Sequence, residues 1–271
     1  MKSWVKAWLA AGVGCCVCGA ALTGIGAASG GGKYVKAADL NKMDGAAKKG
    51  DNEVLLEKTK LDDFDSVDIS MTDMNLQVVR SDDDFCYISY QAAGQTKDPV
   101  SYQVKDGKLT IREHGNNGSY YHVDIGFLSG LFGGGQVTTD ENVVTLYIPE
   151  DQEWKTADMK TDTGNILLNE CKTENGTVQS DSGDLYFKNC DFDNLKIDSN
   201  MGDIHFVGDE DVMSAWNVQI DTDMGDIKVD DALEGKVKED DDDYNQSYTQ
   251  QGKSGNLVIQ TESGDISLEC R

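Results

Sequence analysis

Histidine and proline are scarce in this chain, and basic residues are few beside the acidic ones. Its 271 residues carry 24 Lys and Arg against 49 Asp and Glu, a formal charge of −25. A balance that acidic argues against nucleic acid and anionic membrane surfaces as electrostatic partners. It suits cations, cationic peptides or basic proteins, and it also protects a β-rich chain from edge-to-edge aggregation. There are three histidines, His114, His122 and His205, and none recurs beside a repeated serine. That leaves no Ser/His/Asp arrangement to activate a nucleophile. There is no phosphate loop, and no CxxC outside the first 29 residues, so zinc is not expected. Two prolines against 29 glycines fit a turn-rich β protein.

What is present is a repeat. Gly164, Gly183, Gly202, Gly225 and Gly264 are each followed by Asn or Asp: Asn165, Asp184, Asp203, Asp226 and Asp265. Two residues after each glycine stands an aliphatic, and four after it a large apolar residue; Ile166 and Leu168 are the first such pair. Five before it come Met159, Val178, Ile197, Ile220 and Ile259. Apolar positions thus alternate within each copy, the mark of strands with one buried face. Gly followed by Asn or Asp marks the corner between two half-strands. The glycine spacings are 19, 19, 23 and 39 residues, the last being two coils or one coil with an insertion. One copy cannot bury its apolar face alone, whereas stacked copies can. The expected fold is all-β, a right-handed β-helix-like solenoid of about 19-residue coils.

Two polar columns accompany the glycines. Thr161, Ser180, Ser199, Thr222 and Thr261 lie three residues before them and share the parity of the inward positions. They are expected to bond the turn backbone as a hydroxyl ladder rather than act as nucleophiles. Thr156, Asn175, Asn194, Asn217 and Asn256, eight before, read as an amide ladder at the opposite bend. The Asp column after the glycines could in principle bind calcium. The paired glycines and nine-residue period of a calcium roll are absent, so neither metal nor cofactor is expected.

Taken in order, residues 1–6 read as a cytoplasmic stub and 7–29 as a transmembrane anchor or signal segment. Ala7 to Gly32 carries no charge, long enough to span a bilayer, and Lys2 and Lys6 place the N-terminus inside. Cleavage as a signal peptide would instead release the remainder. Cys15, Cys16 and Cys18 match a lipoprotein site poorly. Residues 30–62 read as a stalk with a short helix around 37–49. Residues 63–150 read as degenerate coils, with Met74-Asn75 standing at a Gly-Asp corner and Asp106-Gly107 turning a hairpin. Regular coils fill 151–271. Two insertions interrupt: a glycine-rich aromatic segment at 114–137, and an acidic, solvated one at 234–255.

Cys171 and Cys190 each lie seven residues after a repeat glycine. Stacked rungs lie about 4.8 Å apart, within the reach of a disulfide. An inter-rung bond and a stacked pair of free thiols are both open. Cys270 is out of that register.

Val143–Glu150, Met159–Leu168 and the later Ser-Gly-Asp-Leu, Met-Gly-Asp-Ile and Ser-Gly-Asp-Ile turns carry a family resemblance. Over roughly residues 64–270 the chain resembles the candidate-adhesin β-strand-repeat domain of unknown function found largely in Gram-positive bacteria. The resemblance implies a non-enzymatic, extracytoplasmic β-helical domain, linked in related proteins to envelope stress. It offers no catalytic residues. The expected function is a membrane-anchored module binding a cell-envelope component, a cationic peptide or another surface protein. A structural adhesin or spacer is the alternative, and a glycan-cleaving β-helix enzyme ranks third.

Overall fold

The computed structural model describes residues 53–93, 98–114, 142–239 and 245–271. The stub, the anchor or signal segment, the helix around 37–49, most of the aromatic insertion and the acidic run at 240–243 lie outside the described residues. The described strands are β1 (Glu53–Lys60), β2 (Ser66–Met71), β3 (Asn75–Arg80), β4 (Tyr87–Ala93), β5 (Val100–Lys105), β6 (Lys108–Glu113), β7 (Asn142–Ile148), β8 (Glu153–Thr161), β9 (Ile166–Asn169), β10 (Lys172–Ser180), β11 (Leu185–Lys188), β12 (Asp191–Met201) and β13 (Ile204–Gly208). After the single-turn helix α1 (Glu210–Met213) come β14 (Asn217–Thr222), β15 (Ile227–Val229), β16 (Lys236–Glu239), β17 (Gln246–Gln250), β18 (Asn256–Ser263) and β19 (Ile266–Cys270).

They form two sheets. The first runs β1-β4-β7-β3-β9-β11-β13-β19-β15 and the second β16-β17-β14-β18-β12-β10-β8-β2-β6-β5. Each regular coil therefore gives one strand to each sheet, and the glycine corner is the passage between them. Coil pairs are parallel and in register with the repeat: Val178 faces Met159 on one side and Ile197 on the other. The inward positions Val178, Ile197, Ile220 and Ile259 are at most 1% exposed. Phe187 and Phe206 stack at 4.4 Å between ring centroids, near-parallel at 4°, a pairing worth about 0.5–1.5 kcal/mol beyond burial.

Coils do not stack in chain order. β18 pairs with β12 on one edge and β14 on the other. The last coil thus occupies the rung between the third and fourth. Two local features make this possible. The 23-residue spacing contains α1, whose four residues help carry the chain past the intervening rung. The 39-residue spacing is one coil with an insertion, and that insertion is ordered at both ends. β16 and β17 form an antiparallel hairpin, with β17 paired to β14. The reading of 234–255 as merely solvated is corrected here: Tyr248 is 1% exposed and closes this end of the core. Because β17 occupies one edge of β14, the final coil takes the other.

At the opposite end the stacking is likewise shuffled. β2 lies between β8 and β6, and β3 between β9 and β7. Asp106 (φ 51) and Gly107 (φ 76) turn the β5–β6 hairpin as the Asp-Gly pair predicts. Residues 53–60, assigned to the stalk from sequence, form strand β1 against β4. Charged residues at four of its eight positions hide an alternation too weak to read as a strand.

Candidate binding surface

The corner column comes first, because it fixes everything outward of it. Each glycine lies against the backbone of its neighbour in the order Met74, Gly164, Gly183, Gly202, Gly264, Gly225. A Cβ at Gly183 would overlap the Gly164 carbonyl oxygen. Close approach alone demands glycine there, whereas Gly202, Gly225 and Gly264 combine it with positive φ. Met74 heads the column, and its own amide bonds the Glu113 carboxylate instead of lying against another corner glycine.

Beside the glycines runs a carboxylate and amide ladder. Asn165 N–H donates to Asn75 Oδ1 at 2.8 Å, Asp184 to Asn165 at 2.8 Å and Asp203 to Asp184 at 2.9 Å. Asp265 then donates to Asp203 at 2.8 Å, and Asp226 to Asp265 at 2.9 Å. One oxygen each of Asp184, Asp203 and Asp265 is thus spent on the corner backbone of the next rung, and Asp226 ends the ladder as a donor. Among the described residues no group of three or more His, Cys, Asp or Glu is arranged to hold a metal.

The hydroxyl column changes along the stack. Thr161 and Ser180 donate to the carbonyls of Gly164 and Gly183, both at 2.8 Å. Ser199 reaches only the Met201 carbonyl, at 3.3 Å. The hydroxyls of Thr222 and Thr261 are buried and make no hydrogen bond. The change coincides with positive φ at Gly202, Gly225 and Gly264. It also coincides with exposure of Met201 and Met224, each 56%. The expected ladder of satisfied hydroxyls therefore holds for three positions and fails for two. At the opposite bend the amide ladder is present: Asn194 donates to Asn175 at 3.1 Å, Asn256 to Asn194 at 2.9 Å and Asn217 to Asn256 at 3.4 Å.

Cys171 and Cys190 are free thiols brought together as the spacing predicts. The rungs bond beside them, the N–H of Asp191, next to Cys190, donating to the Cys171 carbonyl at 2.9 Å. Burial pushes the Cys171 thiol well up, and the Cys190 thiol within hydrogen-bonding reach adds to it. Both line a small apolar cavity of about 20 Å³ with Trp154, Phe187 and Phe192. Cys86 and Cys270 are also free, and Cys270 lies against Gly208, away from that pair.

Two features had no sequence signal. Glu113 sits at the first, glycine-free corner. Its Oε2 accepts from the backbone N–H groups of Thr72 at 2.6 Å and of Asp73 and Met74 at 3.0 Å each. Burial nonetheless raises its pKa. The second is a charged cluster on the outer face of the ten-stranded sheet. Arg112 donates to the Asp68 carboxylate at 2.6 Å and carbonyl at 2.7 Å, while Lys108 pairs with the same carboxylate at 2.8 Å. Lys108 above all, with Arg112, holds the Asp68 carboxyl below its usual range. Asp68 lies 44 residues from Arg112, and Lys108 is nearly as far, so no motif could announce them.

His205 lies outward as expected, stacked on Tyr186 with ring centroids 4.9 Å apart. Its Nδ1 lies 2.7 Å from Ser267 Oγ. This is a cross-strand contact between β13 and β19.

The outward positions of the ten-stranded sheet differ from rung to rung. One column reads Thr110, Asp68, Asp158, Thr177, Lys196, Val258, Gln219 and the next Arg112, Ser70, Lys160, Gln179, Asp198, Gln260, Asp221. On this face lies a groove of about 370 Å³ across β6, β2, β8 and β10.

The crystal structure of a candidate cell adhesion protein from Clostridium sporogenes is similar over 81% of this chain and 99% of that one, at 16% identity and a TM-score of 0.48. A candidate adhesin from Bacteroides fragilis is similar over 80% and 97%, at 10% identity and a TM-score of 0.33. A candidate lipid binding protein from Parabacteroides distasonis is similar over 81% and 98%, at 12% identity and a TM-score of 0.25. No curated protein matches the chain. Residues 64–271, the stacked coils with their glycine corners, match the Toastrack DUF4097 family, and the chain belongs to it.

Proposed function

We propose that this chain is a non-enzymatic binding module. In this reading its N-terminal segment holds it at the cell membrane, and the stacked coils face outward to engage a cell-envelope component. One observation carries the proposal. Inward and corner positions repeat, whereas the outward columns of the ten-stranded sheet vary from rung to rung. Repetition inside a solenoid serves stability; variation along one continuous face serves recognition.

A second reading rests on the stacked carboxylates Asp184, Asp203, Asp265 and Asp226. They form a line of negative charge along one corner, with Lys228 bridging Asp265 at 2.9 Å. That line suits a cationic peptide or a basic surface protein. In an envelope-stress setting the module would then sense such a peptide instead of attaching the cell. Titrating the full-length chain with a cationic antimicrobial peptide at low and physiological salt, beside isolated cell wall, separates the two. Salt-insensitive binding to wall alone supports the envelope component. Saturable peptide binding that weakens with salt supports the second reading. Binding to neither overturns both.

A further inference from the structure

The groove on the ten-stranded sheet is built from side chains that no ladder uses. Arg112 comes from β6, Asp68 and Ser70 from β2, Asp158 and Lys160 from β8, Thr177 and Gln179 from β10. Its two ends differ. Asp68 and Arg112 are locked to each other and to backbone, a fixed wall that ligand binding need not reorganise. Across the floor, the side chains of Ser70, Asp158, Thr177 and Gln179 make no hydrogen bond or ion pair with other described residues, and Lys160 reaches only Asp162, at 3.9 Å. Two hydroxyls, a carboxylate, an amide and an ammonium therefore converge on one groove across four adjacent strands, about 14 Å wide.

The chemistry of this set selects its ligand. It offers donors and acceptors in alternation, and its two apolar lining residues, Ile69 and Met159, face the core at 2% and 3% exposure, so their side chains give an apolar peptide little to cover. Asp158 and the net charge of −25 disfavour a polyanion. A neutral polyhydroxylated chain matches both counts, since each hydroxyl donates and accepts. Spacing agrees as well. Strands repeat at about 4.8 Å, and a β-linked pyranose chain advances by about one strand spacing per sugar. We infer that this groove binds a neutral β-linked glycan laid across the strands, with roughly one sugar per rung. Asp158 and Gln179 hold ring hydroxyls, and the Arg112–Asp68 pair closes one end. This deepens the binding-module reading and rests on it.

A shallow, open groove of this kind predicts a dissociation constant of about 0.1–1 mM per chain. The test is a calorimetric or NMR titration of the full-length chain, in a zwitterionic detergent, with chitotetraose as the probe. Saturable binding is expected, weakened about tenfold by Asp158→Ala and also by Gln179→Ala. Gln260→Ala, on the same face two rungs beyond β10, is expected to leave it unchanged. All three positions are outward, and a thermal melt of each variant checks that the fold survives. Absence of saturable binding overturns the inference, as does binding indifferent to both groove substitutions. If isolated wall binds while chitotetraose does not, the glycan assignment fails and the binding-module reading stands. If neither binds, both fail.

Discussion

The backbone amide of Asp265 donates to the Asp203 carboxylate at 2.8 Å, across 62 residues of chain. Asp226 is nearer to Asp203 in sequence, yet it bonds Asp265 instead. The ladder thus records the true order of rungs, and substitutions along it test that order. Asp203→Ala strands the Asp265 amide and is expected to cost about 1–3 kcal/mol. Asp203→Asn should restore most of that, because Asn75 and Asn165 already perform the same task. Urea denaturation of both variants gives the answer. Equal losses would mean that the bond contributes nothing.

The glycine corners separate two causes of intolerance. Gly264 has φ +149 and lies against Gly202, so strain and overlap act together there. Gly183 lacks a left-handed φ, but its Cβ would still strike the Gly164 carbonyl oxygen. Gly183→Ala is therefore expected to destabilise by about 1–3 kcal/mol through overlap alone. An unchanged melting temperature would show that the rungs can part to admit a methyl group.

Acid stability has contributions of opposite sign. The carboxyl of Asp265 is lowered, chiefly by the Asp226 amide and then by Lys228; that of Asp68 is lowered by Lys108 and then Arg112. A depressed folded-state pKa contributes stability that is complete above the unfolded value of about 3.9 and is lost as pH falls through the folded value. Glu113 runs the other way. Burial raises its folded-state pKa above 4.5, outweighing three backbone amides. Its contribution is present below 4.5 and is lost as pH rises through the folded value. Glu113→Gln should therefore flatten the stability profile just above pH 4.5 and leave the loss below pH 4 in place. Denaturant midpoints measured from pH 3 to 7 would reveal either pattern.

Cys171 and Cys190 are close enough for their thiols to interact across rungs, and we predict that a thiol oxidant links them. The two thiols would give up two protons and two electrons to that oxidant. Full-length chain treated with a thiol oxidant and then denatured in the presence of an alkylating reagent should yield one linked peptide pair under non-reducing conditions. Recovery of both residues alkylated without reductant would reject the bond.

The end cap offers an independent check on rung order. Tyr248 is almost fully buried, and its hydroxyl donates to Gln250 Oε1 at 2.8 Å. Gln250 in turn donates to the carbonyls of Met213 and Trp216. Tyr248→Ala should cost about 3–5 kcal/mol. Hydrogen exchange should show the loss first in β14 and β17, because they border the opened end.

Much of this was legible beforehand. Met159, Val178 and Ile197 announced the inward face, the Asn column announced its own ladder, and the two cysteines announced their contact. Each of these depends on a period of two within a strand and a fixed count between corners, and both are local. Glu113 at the Met74 corner was illegible, since a lone glutamate carries no record of which distant amides it will meet. The groove was illegible for the same reason: Arg112 and Asp68 become neighbours only when β6 and β2 pair.

The sequence by itself determined the coil: its strands, its glycine corner, its inward residues and its ladder positions. Tertiary structure alone decided which coil lies on which. Every rung presents the same backbone hydrogen bonds and the same apolar face, so the register of Ile259 fits Ile197 and Ile220 equally well. Identical edges carry no address. In the folded chain the β16–β17 hairpin takes the outer edge of β14, and the final coil fills the edge between β14 and β12.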